Sequence, residues 1–433
     1  MGKSFLSSFK KIYDSLHGFI RFDEYERELI DSLPFQRMHY IRQLGIAYLI
    51  YPGATHSRFE HSLGVMEIAT RIFDKICQTV RPDVFQVVPR KGSAEYFYWE
   101  KVLRLGALCH DLGHLPFSHV AETALLKEKG HEELTLNIIE SSYLKSFWEK
   151  IREKSNVQKA FPDRDIKEDV IKTAIGEDKL KLLGKNFMFT PWENIVAWII
   201  SGNFFGADRI DYLLRDSRYT GIAYGMFDYM QLIEQLRILP GDNGELSIGI
   251  DENGIESAEA LLLARHFMYK RVYQYPSVKA LAFHLKRFML SYCLENKHLL
   301  EIENFLYFTD ADIITAIMHA AKDKNHSGYH DARAIIERKE HLKAISLPSH
   351  VKKETIEEFK KEHDVKDWQI HLDFVEKGEK GKNELAFLVA KKHLKIMNIG
   401  ECSEILKHLP ERSENWLYLA PEFELLFMHA IEK

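Results

Sequence analysis

Cysteine is scarce in this 433-residue chain: Cys77, Cys109, Cys293 and Cys402 stand far apart, with no CxxC pair. That spacing argues against a disulfide-stapled secreted framework and predicts reduced thiols in a cytoplasmic setting. Cys109 lies among histidines, but its type is expected in a buried apolar position rather than as a ligand. Long apolar runs are missing too, so no transmembrane helix is expected. Met1 to Phe9 has neither the apolar core nor the small-residue site of a signal peptide. Neither sign of charge dominates, with 59 Lys and Arg against 64 Asp and Glu and a net charge of −5. That balance speaks against a surface built to coat nucleic acid, leaving at most a local basic pocket. Internal repeats and low-complexity tracts are absent as well.

What the chain does have is length, helical patterning and histidine. Its size predicts one large principal domain and a smaller second one. We expect a mainly α fold, with a helical domain over residues 1–340 and a C-terminal α+β lobe over residues 341–433. Residues 20–80 read as mainly helical, with a break and restart at Asp31-Ser32-Leu33-Pro34 and a turn at Tyr51-Pro52-Gly53. Leu63, Met66, Ile68, Ile72, Phe73 and Ile76 recur at helical spacing. Residues 99–113 predict a helix apolar nearly all round, hence buried, with His110 and Asp111 at its end. A hairpin is expected over 237–250, with a Pro240–Gly244 turn. A long helix from about Ser257 to Lys297 follows, interrupted near Pro276. Past 345 the pattern predicts strands near 370–375, 384–389 and 416–419, with a charged hairpin tip at Lys377–Asn383.

Several of the 21 histidines cluster between His56 and His131. A buried helix that ends in adjacent His110 and Asp111 is costly unless both side chains find partners. A divalent ion would satisfy both, and imidazole with carboxylate suits Mn, Fe, Zn and similar ions. Upstream, Thr55-His56-Ser57-Arg58-Phe59-Glu60-His61 offers His61 near a helix start. Downstream, the segment Gly206 to Asp216 offers Asp208 on an amphipathic helix.

The order His61, His110-Asp111, Asp208, with its flanks, resembles the HD-domain phosphohydrolases. The closer resemblance is to the deoxynucleoside triphosphate (dNTP) triphosphohydrolases of the sterile-alpha-motif-and-HD-domain type and their bacterial relatives. It is carried by Phe35 to Gly45, Tyr51 to Gly64, Cys109 to His119, Asp208 to Asp216 and Arg271 to Gln274, and spans about residues 10–300. No sterile-alpha-motif domain is expected in front, because the matching pattern begins almost at the first residue. The resemblance implies that His61, His110, Asp111 and Asp208 hold one divalent metal, such as Mn, Fe, Zn, Ni or Mg. His114, Glu122 and His131 match the family's active-site histidine, its acid partner and a second histidine, with Glu122 where Asp is usual. His119 matches the residue proposed to protonate the leaving oxygen. Arg58, Arg209, Tyr212 and Arg265 match phosphate contacts, Arg209 replacing a lysine. Gln43 and Asp216 match residues that bond the sugar 3′-hydroxyl, Leu44 a sugar or base contact, and Tyr273, followed by Gln274, the residue below C2′. The implied reaction is water attack at the α-phosphorus, giving deoxynucleoside and triphosphate. The implied assembly is a homo-oligomer, dimer or tetramer.

Family members often need an allosteric nucleotide. Lys10, Asp31 and Gln36 match parts of that site, whereas His39 replaces a guanine-reading arginine and Tyr13 and Phe19 replace polar residues. A constitutive enzyme or another activator therefore stays open. Two other readings also stay open: an HD-type phosphatase or phosphodiesterase on another substrate, and a non-catalytic nucleotide sensor. The HDxxED and HD-GYP signatures of two other subclasses are absent.

Overall fold

The computed structural model describes residues 10–79, 86–202, 204–241, 244–339, 341–348, 350–374, 387–391, 395–409 and 415–431. The chain opens on an antiparallel hairpin, β1 (Lys10–Asp14) and β2 (Gly18–Phe22). Residues 20–22, expected in a helical stretch, are strand. Asp14 Oδ1 ties the turn by accepting from the backbone N–H groups of Leu16 and His17 at 2.8 and 2.9 Å.

Helices then enclose the principal core, and six of them position the site. They are α1 (Arg58–Gln78), α2 (Ala94–Cys109), α3 (Gly130–Glu140), α4 (Ile166–Ile175), α5 (Pro191–Ser201) and α6 (Ala207–Thr220). Local signals set their ends. α1 starts from a Ser57/Glu60 capping box, and α5 from a Thr190/Glu193 box with Pro191 in its first turn. α6 stops at Gly221, whose φ of 76° suits a residue without a Cβ. α1 packs along both α2 and α6, and α2 also covers α4. α2 is buried on most sides, as its apolar circumference predicts, and it ends where expected, with His110 as its C-cap. Glu26 anchors the preceding helix, Glu24–Ile30, to α2 through Lys101 and Arg104.

The long helix is interrupted near Pro276, as expected, into α7 (Ile255–Met268) and α8 (Pro276–Glu295), joined by a π-helical turn at Tyr269–Tyr273. Pro276 opens α8 where its missing N–H costs nothing. α9 (Asp310–Ala320) and α10 (Tyr329–Ile336) pack with α8 around Phe288, Phe308 and Ile317, a second core that also takes in Ile46 and Phe117.

The hairpin β3 (Leu236–Pro240) and β4 (Leu246–Asp251) forms as expected, although part of its turn lies outside the described residues. Beyond residue 341 come β5 (Lys343–Leu347), β6 (Ile370–Asp373), β7 (Leu388–Ala390), β8 (Ile396–Asn398) and β9 (Asn415–Leu419). One sheet has the order β5-β9-β6, and the other the order β3-β4-β7-β8, with β7 parallel to β4. Strands from both sides of the expected 340/341 division thus share a sheet. The Lys377–Asn383 tip lies outside the described residues. Among them, no helix is long and apolar enough to cross a membrane.

Candidate metal centre and cavity

Three elements bring the expected ligands together. His61 comes from the first turn of α1, His110 and Asp111 from the end of α2, and Asp208 from the first turn of α6. One ligand atom each of His61, His110 and Asp111 lies within 4.8 Å of the others. Asp208 Oδ1 faces His61 Nε2 at 3.0 Å and His110 Nε2 at 3.9 Å.

The donor set fits a divalent cation. His110 donates Nδ1–H to the Ala107 carbonyl at 2.7 Å, which leaves a lone pair on Nε2. That nitrogen is buried without a hydrogen-bond partner and faces Asp111 Oδ1 at 3.3 Å. His61 Nδ1 bonds Asp211 Oδ2 at 2.8 Å, again turning Nε2 toward the carboxylates. Burial works to lower the His61 pKa, yet hydrogen bonds to Asp208 and Asp211 hold it up at about 10. A cation at this point would replace that proton. Burial opposes ionisation of Asp111, but the Arg58 charge and the neighbouring histidines hold it well below the usual carboxylate range.

Behind His61 lies a buried network that the sequence motifs did not single out. Asp211 accepts from His61, from His17 Nε2 at 2.7 Å, and from Arg215 Nε and Nη2 at 2.8 and 3.0 Å. Arg215, fully buried, also donates to Asp14 Oδ2 at 2.9 Å. Gly64 makes room: a Cβ there would stand 2.0 Å from Asp211 Oδ1. Such a carboxylate fixes the ring and tautomer of a metal-binding histidine. The available signal was spacing, since Asp211 follows Asp208 by three residues, one helical turn.

A second cluster adjoins the first. The helix does not continue past His110, so a turn, not a further helical turn, delivers His114. Its Nε2 lies 3.1 Å from Asp111 Oδ1, and its Nδ1 bonds Glu122 Oε1. His119 Nδ1 meets Glu122 Oε2 at 2.9 Å and His131 Nδ1 reaches the same oxygen at 3.4 Å. The His131 ring stacks on His114 at 3.6 Å. Burial and the nearby Arg58 charge push His114 down to about 4, against the pull of Glu122. His119, 71% exposed in its side chain, is the accessible member of the cluster.

A cavity of about 390 Å³ opens over both clusters. Gln43, Arg58, His110, Asp111, His114, His119, His131, Asp208 and Tyr212 line it. The far wall, with Lys179, Asn194 and Trp198, had no signal in the motifs. Gln43 Oε1 is buried without a partner. Arg58 is seated by Ser118 Oγ at 2.8 Å and by Asp111. Asp216 accepts from His56 Nε2 and from the Tyr273 hydroxyl, both at 2.7 Å. The Tyr273 ring meets the Tyr212 ring edge-on at 6.0 Å, beside the cavity. Burial raises the Tyr212 phenol to about 12, against the opposing charges of Arg209 and Arg265. Arg209 also donates to the Phe204 carbonyl, and Arg265 lies 5.1 Å from the Tyr269 ring. Leu44, half-buried, packs on the principal core, and Gln274 is exposed; neither lines this cavity.

Residues 58–218 match the HD domain family, and residues 227–420 match the HD associated region. An uncharacterized protein of Methanocaldococcus jannaschii is 35% identical over 306 residues, covering 71% of this chain and 54% of that protein. The deoxynucleoside triphosphate triphosphohydrolase SAMHD1 of Bos taurus is 30% identical over 286 residues, covering 61% of this chain and 44% of its own. The matched part is thus about half the length of these curated relatives. A crystal structure of a hypothetical protein from Aquifex aeolicus superposes with a TM-score of 0.74 at 30% identity, over 98% of this chain and 100% of that one. A phosphohydrolase from Bacteroides thetaiotaomicron, 21% identical, shares the fold with a TM-score of 0.71 over 95% and 99% of the two chains. The chain belongs to the HD-domain family, in the branch where an HD associated region follows the HD domain.

Proposed function

We propose that this protein is a metal-dependent dNTP triphosphohydrolase that splits dNTP into deoxynucleoside and triphosphate. The observation that carries the reading is the bare His110 Nε2, buried among His61, Asp111 and Asp208 at the floor of a cavity that also holds Arg58, His114, His119 and Gln43. Those four ligands would hold a divalent ion, supplying Lewis acidity at a phosphate oxygen and a water of lowered pKa. Arg58, fixed by Ser118 and Asp111, presents its charge to the phosphates without having to order a free side chain. Arg209 and Arg265, whose charges act on the cavity-lining Tyr212, would extend that positive field toward the rest of a triphosphate chain. Glu122 occupies His119 Nδ1, so Nε2 is the nitrogen left to pass a proton to the departing sugar oxygen. Glu122 bonds His114, and its histidine partners hold that carboxylate ionised against burial. Gln43 Oε1 offers an acceptor to a sugar hydroxyl, and the Tyr273–Asp216 pair supports the C2′ side.

The test is product analysis with each of the four dNTPs and GTP, singly and mixed, in Mn and in Mg. Deoxynucleoside with intact triphosphate supports the proposal. Activity confined to mixtures means that a nucleotide activator is needed. A second reading, an HD-type phosphatase or phosphodiesterase on another substrate, draws on the fact that both Asp216 oxygens are already engaged and Gln274 stands outside the cavity; orthophosphate or monophosphate products would favour it. Absence of turnover in every metal would favour a nucleotide sensor.

A further inference from the structure

The HD associated region places one buried carboxylate, Asp310, on backbone close in sequence to the cavity-lining Gln43 and His119. We propose that Asp310 is a positioning residue that latches together the two backbone stretches carrying the substrate-facing groups, Arg42–Gln43 and Phe117–Ser118. The proposal rests on the catalytic reading above. Asp310 Oδ1 accepts from the Phe117 N–H at 2.7 Å and Oδ2 from the Arg42 N–H at 3.0 Å. These contacts join residues about 190 and 270 positions apart, and the carboxylate is only 4% exposed. Asp310 is the first residue of α9, yet the cap there is made by Thr309 and Asp312. Its side chain is therefore not spent on the helix start.

What it holds is under strain. Phe117 and Ser118 have φ of 58° and 57°, a left-handed conformation that non-glycine residues adopt only when their surroundings enforce it. The facing stretch is close: a Cβ on Gly45 would stand 2.8 Å from the Phe117 carbonyl oxygen. Ser118 Oγ bonds the Arg42 carbonyl at 2.8 Å and receives Arg58 Nε at 2.8 Å. The latch thus extends through Ser118 to the Arg58 guanidinium, and through the Arg42 backbone to Gln43. A second tie fixes the other end of the same turn. Arg37 donates to the carbonyls of Phe308 and His114, each at 3.0 Å, with its guanidinium 4.1 Å from the Phe305 ring. Segment Phe305–Asp310 therefore grips the His114–Ser118 turn at both ends. Burial pushes Asp310 up to about 6 despite its two N–H donors, so the group is kept here against a desolvation penalty.

The deciding variant is Asp310→Asn, whose amide can accept from only one of the two N–H groups and turns a donor toward the other. Hydrogen exchange at the Phe117 and Arg42 amides should quicken at least about tenfold, while exchange along α1 stays unchanged. kcat/KM for dNTP should fall about 10–100-fold, as expected when binding groups are misplaced by about 1 Å, with bound Mn per chain retained. Unchanged exchange at both amides overturns the latch, and so does quickened exchange with wild-type kcat/KM. If wild-type protein hydrolyses no dNTP, the catalytic reading fails and the exchange measurement alone decides the latch. If Asp310→Asn does not fold, Ser118→Ala decides. It leaves both Asp310 bonds in place and removes the Ser118 links to Arg58 and to the Arg42 carbonyl, through which the latch acts, so the same loss of kcat/KM with retained Mn supports the proposal. Wild-type kcat/KM in Ser118→Ala overturns it.

Discussion

Replacing Asp211 by Asn tests whether the buried network behind His61 tunes the metal centre. In the wild type, donors from His17, His61 and Arg215 converge on two carboxylate oxygens, at 2.7–3.0 Å. An amide keeps one acceptor and points an NH2 group at another of these donors. His61 loses the bond that fixes its tautomer, and the ring becomes free to present the wrong nitrogen. Loss of such a supporting bond lowers metal affinity about 10–100-fold, or roughly 1.4–2.8 kcal/mol at about 1.4 kcal/mol per tenfold. Arg215 keeps Asp14 but loses charge compensation in a fully buried place. Removing one partner from a buried ion pair costs about 3–5 kcal/mol of stability, and the retained Arg215–Asp14 bond puts this variant near the lower figure. Mn titration by calorimetry gives the affinity, and thermal unfolding in chelator gives the apo stability separately. A folded Asp211→Asn protein with wild-type Mn affinity would refute the reasoning.

Other perturbations probe neighbouring parts. Changing His110 and Asp111 together to Ala should remove bound metal and reduce turnover to background; wild-type rates in pure double variant would contradict the assignment. Gly64→Ala places a Cβ 2.5 Å from Arg215 Nη2 as well as against Asp211, and should cost about 1–3 kcal/mol in chemical denaturation. Glu26, buried, would be raised by burial alone, but Lys101 and Arg104 hold it well below its ordinary 4.5. Its stabilisation is therefore present above pH 4.5 and lost as pH falls further. Wild type should exceed Glu26→Gln by about 3 kcal/mol at pH 7, and a gap that stays constant down to pH 3 would contradict the sign. Chelation should abolish turnover, and added Mn should restore it.

The ligand-bearing helices were legible because strong local patterns coincide with them. The apolar circumference of α2 declares a buried helix, and a His-Asp pair at such an end has few uses other than a ligand. Asp211 was not legible as a support for His61. Nothing local distinguishes it from Asp208 until α1 and α6 are packed and Gly64 leaves the gap. Asp310 is further out of reach, since its partners are set by how α9 docks on the turn after α2. The β1–β2 hairpin eluded the pattern because Tyr13 and Phe19, on its exposed face, break the apolar alternation that marks a strand. β7 overlaps the strand expected near 384–389, whereas β8, three residues long, is too short to carry a periodic signal. Pro276 marked the break between α7 and α8, whereas the π turn at Tyr269–Tyr273 just before it had no sequence signal.

The parallel pairing of β7 with β4 has a consequence for the order in which the protein can be made. Residues 249–251 pair with residues 388–390. At a synthesis rate of about 5–20 residues per second, the open side of the β3–β4 hairpin waits on the order of 10 s for its neighbour. During that time a nascent chain already holding His61, His110, Asp111 and Asp208 presents an unpaired strand edge, the kind of surface to which other chains add. Ribosome-bound or truncated chains ending before residue 388 should therefore depend most on chaperones, and a chain stopped there should aggregate through Leu246–Asp251 even with α1, α2 and α6 folded.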